Sequence, residues 1–315
     1  LVGRTGHCRI TFPGGCDIGQ RPVDIHISAL KKMGVAVTEA FGHIECSGKP
    51  KGAKIALSFP SVGATENIIL AAVTAEGVTE ISNAAREPEI TDLAEFLNKC
   101  GGDIRGAGGG NIVIHGVKKL HGCEYTIMPD RIACATFLAC TAAAGGEITA
   151  KKCDPKHLDA VLSVFEQMGC RIHTLSDTIC FSAKKPLKAV DTVRTMVYPG
   201  FPTDCQAFVM AALCKAEGTS VFVENIFENR YQHTGGFQRM GADIRVEGKV
   251  AVVEGVKRLY GAKTSAPDLR GGAGLVAAAL SAEGTSEIED IHYIDRGYEA
   301  IEKTLSAVGA DIQRV

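Results

Sequence analysis

Cys16 is the first residue whose surroundings point to chemistry. It lies in Phe12-Pro-Gly-Gly-Cys16-Asp-Ile-Gly-Gln-Arg21-Pro-Val-Asp-Ile-His26, between a Gly-Gly pair and a third glycine. Gly14, Gly15 and Gly19 open backbone conformations closed to other residues, so the stretch reads as a mobile loop. A thiol on such a loop can reach a substrate and withdraw. Arg21 adds a fixed cation nearby, which favours bound anions and lowers a thiol pKa. The competing reading is that Cys16 is one more small apolar residue among twelve cysteines. The glycine frame and the arginine bring the reactive reading level with it.

A second set of polar residues opens a series of Ala-rich segments: Pro60-Ser61-Val62-Gly63, Pro129-Asp-Arg131, Pro202-Thr-Asp204 and Pro267-Asp-Leu-Arg270. Proline followed by Ser, Thr or Asp is a helix-start signal, and capping alone accounts for any one of these residues. The same geometry offers unpaired N–H groups and partial positive charge to phosphates. Gly63 lets a ligand approach the backbone. Asp204 fits a general base as well as a cap. Arg230 and Arg296 follow apolar runs at corresponding positions, which favours anion binding over a surface role. His26 and His233 are the histidines placed to meet a ligand.

These side chains need elements to hold them, and a repeat supplies them. Five times an apolar residue or cysteine ends a helix-like segment, then comes glycine, then a short strand. The glycines are Gly34, Gly101, Gly169, Gly241 and Gly309, spaced 67, 68, 72 and 68 residues apart. A fixed period marks a repeated supersecondary unit. The interleaved segments Ala64–Gly77, Arg131–Gly146, Asp204–Gly218 and Leu269–Gly284 are apolar on nearly every face and read as buried helices with a C-terminal glycine cap. Leu158–Met168 and Asp295–Val308 read as amphipathic helices. The expected architecture is α/β, with sheets outside and helices within. It divides near Met128–Asp130 into two similar domains, 1–128 and 129–315, with a cleft between them.

Composition narrows the partners. A hydrophobic share of 45% with 22% charged residues belongs to a soluble globular protein. The net charge of −2 gives no field for nucleic acid, and the absence of Trp argues against base stacking. No C-x-x-C or zinc-type Cys/His spacing occurs, so no metal is expected and the cysteines read as reduced cytosolic thiols. No signal peptide or 18-residue apolar run is present.

Taken in order, Pro13-Gly-Gly-Cys16, Arg21-Pro-Val-Asp-Ile-His26, Ser61-Val-Gly-Ala-Thr65, Asn83-Ala-Ala-Arg-Glu-Pro-Glu-Ile90, Pro129-Asp-Arg-Ile132, Phe201-Pro-Thr-Asp204, Phe227-Glu-Asn-Arg230, Asp268-Leu-Arg270 and His292-Tyr-Ile-Asp-Arg-Gly-Tyr298 resemble the UDP-N-acetylglucosamine 1-carboxyvinyltransferase family of enolpyruvyl transferases. The resemblance covers the whole chain. It implies two inside-out α/β barrel domains built from β-α-β-α-β-β units, of which five of six are present. It implies transfer of enolpyruvyl from phosphoenolpyruvate to the 3-hydroxyl of UDP-N-acetylglucosamine, in the bacterial cytoplasm, as a step of peptidoglycan precursor synthesis. No cofactor is implied, and a monomer is expected.

By that resemblance Cys16 is the proton donor and the target of fosfomycin, and Asp204 is the base. Arg21, Arg270 and Arg296 bind phosphoenolpyruvate. Arg21, Pro22, Val23, Asp24, Ile25, Ser61, Val62, Gly63, Asp204 and Ile226 contact UDP-N-acetylglucosamine. One departure stands at Phe59, where many members carry lysine. Leu1 opens directly into a strand-like run, which reads as a chain beginning mid-protein and as a fragment inactive alone. The rival readings are the shikimate 3-phosphate enolpyruvyl transferase, which lacks the Pro-Gly-Gly-Cys loop, an inactive fragment that only binds ligand, and a binding module without chemistry.

Overall fold

The repeat glycines have a structural cause. In the computed structural model, which describes residues 1–12 and 23–315, all five take left-handed angles: φ is 81° at Gly34, 96° at Gly101, 89° at Gly169, 92° at Gly241 and 101° at Gly309. The N–H of the next residue then turns back to a carbonyl five positions earlier. The pairs are Val35 to Leu30, Gly102 to Leu97, Cys170 to Phe165, Ala242 to Phe237 and Ala310 to Leu305. This is the Schellman ending, which satisfies orphan helix carbonyls and needs a residue without Cβ at its left-handed position.

Each ending belongs to one repeat unit. The first holds α1 (Val2–Thr5), β1 (His7–Thr11), α2 (Asp24–Lys32), β2 (Ala36–Ala40) and β3 (His43–Ser47). The second holds β4 (Lys54–Ala56), α3 (Val62–Ala72), β5 (Val78–Ser82), α4 (Pro88–Lys99), β6 (Asp103–Arg105) and β7 (Asn111–His115). The third holds α5 (Arg131–Ala144), β8 (Gly146–Lys151), α6 (Asp159–Gln167), β9 (Arg171–Thr174) and β10 (Thr178–Ala183). The fourth holds β11 (Thr192–Arg194), α7 (Gln206–Leu213), β12 (Thr219–Val223), α8 (Thr234–Arg239), β13 (Asp243–Glu247) and β14 (Val250–Glu254). The fifth holds β15 (Lys263–Ser265), α9 (Leu269–Ala279), β16 (Glu287–Glu289) and α10 (Ile301–Ala307).

The second and fourth units share one topology, with sheet orders β4-β5-β7-β6 and β11-β12-β14-β13. In both, the first two strands run parallel and the other two pair antiparallel. The first and third units keep only the three antiparallel strands, ordered β1-β3-β2 and β8-β10-β9, and the fifth keeps the parallel pair β15-β16. The expected β-α-β-α-β-β unit is therefore present in full twice and in part three times among the described residues.

Backbone contacts group the described residues up to Met128 into one unit and Pro129–Val315 into another. In the second, α5, α7 and α9 pack against one another. All eight residues of α7 are buried. Close approach of α9 to α7 depends on Gly274, where an added Cβ would stand 3.0–3.1 Å from Ala207. In the first, α3 buries Ile68, Ile69 and Ala72, and both α1 and α2 pack on it. Helices thus form the interior and the sheets cover them, as apolar helices and half-buried strands require.

The buried helices stop earlier than their glycines suggest. Helix α3 ends at Ala72 and α7 at Leu213, whereas Gly77 and Gly218 lie a turn further on at φ of 96° and 109°. The intervening residues turn the chain into parallel bridges, Lys51 with Glu76 and Lys188 with Glu217, that start the next strand. Of the four buried helices α3, α5, α7 and α9, α5 alone runs directly into a glycine cap, Gly145. The expected helix Asp295–Val308 is also broken. A 3-10 turn runs to Arg296, and α10 starts after Ala300, whose φ is 47°.

Gly116 and Gly255 follow β7 and β14 at equivalent positions. At each, an added Cβ would stand 1.6 Å from a carbonyl oxygen, that of Ala75 or Ala216. Gly255→Ala is expected to lower unfolding free energy by about 2–4 kcal/mol, since backbone must move. Gly248→Ala, in open space at φ of 55°, is expected to cost about 1 kcal/mol. Urea unfolding of both variants checks this ranking, which equal midpoints would contradict.

Candidate active site

The starts of α5, α7 and α9 converge. Asp130 caps α5 by accepting from the Ile132 and Ala133 amides at 2.8 and 3.0 Å. Asp268 caps α9 by accepting from the Arg270 and Gly271 amides at 2.9 and 3.1 Å. Between them the 3-10 turn Thr203–Cys205 leads into α7 and presents Asp204. Cys205, at the end of that turn, lies within electrostatic reach of Asp204, Arg131, Arg270 and Asp130. Burial pushes its thiol pKa strongly up, so it is an inert packing sulfur.

Arg230 ties the cluster together. Its side chain is 4% exposed, yet it donates from Nη2 to Asp204 Oδ1 at 2.8 Å and stands 3.7 Å from Asp268 Oδ1. Asp204 is 43% exposed, so a carboxylate held on one side by a guanidinium faces solvent on the other. The Arg270 Nε atom is 3.9 Å from the same Asp204 oxygen. Arg270 Nη1 also donates to the Tyr298 hydroxyl at 2.9 Å. Thr136 Oγ1 lies 2.7 Å from that hydroxyl and donates its own proton to the Ile132 carbonyl. The Tyr298 proton therefore goes to Thr136, and a directed chain runs from Arg270 through Tyr298 and Thr136 to α5. Burial raises the Tyr298 pKa and keeps the phenol protonated for this role. Burial also opposes charge on Arg270 more strongly than any other single influence, but Tyr298, Asp204 and Asp130 together outweigh it and raise its pKa.

A buried carboxylate organises the adjoining loop. Glu224 is fully buried. It accepts from Thr195 Oγ1 at 2.8 Å, from Thr203 Oγ1 at 2.9 Å, and from the Ile226 and Phe227 amides at 2.8 and 3.1 Å. One side chain thus fixes the turn carrying Asp204 and the loop from Ile226 to Arg230. The half-buried Ile226 is held by this contact.

In the other unit, Ser61 caps α3 by accepting from the Ala64 amide at 3.3 Å. Asn67 Nδ2 is 2.6 Å from His26 Nδ1, and an added Cβ at Gly63 would lie 3.4 Å from the His26 ring. Burial lowers the His26 pKa, against the opposing pull of Asp24, which suits a neutral ring accepting from the Asn67 amide. Val23, Asp24 and Ile25 open α2 beside this start, whereas Phe59 is exposed in the turn before Pro60.

The structure therefore brings Asp204 and Arg270 together, with Arg230 between them and Asp268. Ser61, Val62 and Gly63 gather beside His26. Arg296 is exposed at the end of its 3-10 turn, two positions before Tyr298. Cys16, Arg21 and Pro22 lie outside the described residues. Glu224, Asp268, Thr136 and Tyr298 carried no signal of their own in the sequence reading; only the Pro-Asp start before Arg270 and the Arg-Gly-Tyr motif placed two of them near chemistry. A cavity of about 900 Å³ lies at the far ends of α5 and α9, lined by residues such as Ala144, Leu280 and Leu305, and holds none of this cluster. No helix among the described residues is long and apolar enough to cross a membrane.

Comparison with known proteins decides the family. The EPSP synthase (3-phosphoshikimate 1-carboxyvinyltransferase) family model matches residues 1–305. UDP-N-acetylglucosamine 1-carboxyvinyltransferase 2 of Caldanaerobacter subterraneus subsp. tengcongensis is 52% identical over all of this chain and 76% of its own length. The UDP-N-acetylglucosamine 1-carboxyvinyltransferase of Nitratidesulfovibrio vulgaris (strain DP4) is 51% identical over the same shares. The chain belongs to the UDP-N-acetylglucosamine 1-carboxyvinyltransferase family. It spans about three quarters of the length of these relatives.

The family fold is seen in solved structures as well. The enolpyruvyl transferase NikO from Streptomyces tendae superposes with a TM-score of 0.86 at 24% identity, covering 99% of this chain and 75% of NikO. An EPSP synthase from Acinetobacter baumannii gives a TM-score of 0.70 at 20% identity, covering 97% of this chain and 74% of its own. Both show a shared architecture.

His233 precedes α8 behind Arg230 and Asp268, fully buried. Burial lowers its pKa from 6.5 to about 4, against the pull of Asp268. The Arg230 carbonyl is near, but neither ring nitrogen makes a hydrogen bond of normal geometry. Below pH 6.5 the unfolded chain takes up a proton that the folded one refuses until about pH 4. Folding stability is therefore expected to fall by about 3 kcal/mol as pH drops through that window. Urea unfolding across this range should show a flatter profile for His233→Phe, and parallel profiles would refute the assignment.

Proposed function

We propose that this protein transfers the enolpyruvyl group of phosphoenolpyruvate to the 3-hydroxyl of UDP-N-acetylglucosamine and releases phosphate. The observation that carries the reading is identity near one half, over the entire chain, to relatives bearing that activity in their names. The Pro-Gly-Gly-Cys16 loop supports it, and the EPSP synthase from Acinetobacter baumannii is far more distant, at 20% identity.

Asp204 takes the proton of the sugar hydroxyl as its oxygen bonds to C2 of phosphoenolpyruvate. Cys16 gives a proton to C3. Loss of the C3 proton and departure of phosphate from C2 then restore the double bond in the product. Acid and base act at opposite ends of one addition, which is where general catalysis lowers the barrier. Arg270, Arg296 and Arg21 face the carboxylate and phosphate as charge develops. Arg230 holds Asp204 in place through its 2.8 Å contact. The run Arg21 to Ile25, with Ser61, Val62, Gly63, Asp204 and Ile226, contacts UDP-N-acetylglucosamine, helped by the α3 N-terminus. Residues 1–128 form the domain that carries the Cys16 loop, and 129–315 the domain that carries Asp204. The product feeds peptidoglycan synthesis in the bacterial cytoplasm, the working form is a monomer, and fosfomycin alkylates Cys16.

Phosphate release by the native protein, with phosphoenolpyruvate and UDP-N-acetylglucosamine, tests the proposal. Cys16→Ser and Asp204→Asn are each expected to lower kcat by about 10²–10⁴-fold. Mass spectrometry after fosfomycin treatment should find the adduct on Cys16 and none in Cys16→Ser. Release driven by shikimate 3-phosphate and not by the nucleotide sugar would overturn the assignment.

A further inference from the structure

A second pair of sulfur atoms stands apart from the Cys16 loop. Cys100 ends α4, immediately before the left-handed Gly101, and is buried. Cys123 is exposed, alone in this among the described cysteines. Their sulfurs lie 3.5 Å apart.

The contact is built. Residues 116–128 carry no helix or strand and run as a strap along α4. The His121 amide donates to the Cys100 carbonyl at 2.9 Å. Lys99 Nζ donates to the Glu124 carbonyl at 3.3 Å. The Tyr125 hydroxyl and the Met128 amide donate to Asp92 Oδ1 at 2.9 and 3.1 Å. Tyr125 also packs edge-on against Phe96, with ring centroids 5.5 Å apart. Anchors thus lie on both sides of Cys123 and hold its sulfur against Cys100. Two other cysteine pairs adjoin, Cys8 with Cys46 across β1 and β3 and Cys134 with Cys153. Each has one buried and one half-buried member. Among the described cysteines, only the strap pair joins contact to open access.

We propose that Cys100 and Cys123 form a reversible dithiol–disulfide site that takes a hydroperoxide as its oxidant. The exposed Cys123 sulfur attacks the peroxide, the O–O bond breaks, and with hydrogen peroxide the products are a sulfenic acid and water. Cys100 then attacks that sulfur, the S–O bond breaks, and a second water leaves with the remaining thiol proton. The two thiols lose two electrons and two protons, and one hydrogen peroxide becomes two waters. Burial and the Cys123 contact push the Cys100 thiol up, so Cys100 is the resolving rather than the attacking group. The new bond would fasten the strap to α4, and a thiol reductant would release it. This site is independent of the enolpyruvyl chemistry.

The test treats the native protein with hydrogen peroxide and maps peptides without reduction. The expected result is one cross-link joining the Cys100 and Cys123 peptides at a mass about 2 Da below their sum, reversed by dithiothreitol. The oxidised protein should melt about 5 °C higher. Cys123→Ser, a surface change, should lose both effects. Cys100→Ser should instead leave a sulfenic acid on Cys123 that dimedone traps. Over-oxidation of Cys123 to sulfinic acid without a cross-link, or its linkage to a different cysteine, would overturn the proposal.

Discussion

One guanidinium governs the second unit. Arg230 is nearly sealed from water, and a buried cation without partners would be too costly to keep. Its two carboxylates resolve that cost in different ways. Asp268 is itself buried and already engaged as the cap of α9, so its charge is shared between two backbone amides and Arg230. Asp204 is half open and bound directly. Removing the guanidinium would strand Asp268 and release Asp204, so helix geometry and site geometry stand on the same contact. Glu224 does for the loop what Arg230 does for the helices, since four donors converge on a fully buried carboxylate.

The repeat explains why such a cluster exists. Equivalent units place equivalent helices side by side, and parallel helices bring their N-termini to one end. Each start contributes partial positive charge and unpaired amides. Asp130 and Asp268 neutralise part of that charge, while Arg131, Arg230 and Arg270 add to it. The balance is a positive basin with a carboxylate at its rim, an arrangement suited to holding anions close to a proton acceptor.

Much of this was legible beforehand, for local reasons. A glycine that must be left-handed leaves a mark at a fixed offset, and five such marks gave the unit count. Proline followed by an aspartate gave the starts of α5 and α9 correctly, because capping is decided within a few residues. The ends of α3 and α7 were misjudged because a tertiary event, the parallel bridge, stops each helix before its glycine. The break at Ala300 was invisible for a similar reason, as alanine ordinarily favours helix. The partnership of Thr136 with Tyr298 spans 162 positions, and no spacing rule reaches that far. Glu224 directly follows β12 and belongs to no motif. Its importance comes wholly from what folds around it.

Helix α7 has no face turned to water. Terminal turns of a surface helix can fray and reform while the rest of a protein stays intact. A segment enclosed on all sides has no such partial excursion, because detaching it means parting α5 and α9 as well. The aspartate at its doorstep therefore inherits a long residence time. Its backbone is tethered to that enclosed segment on one side and, through Thr203, to the buried Glu224 on the other, so the packing of the second unit sets its position.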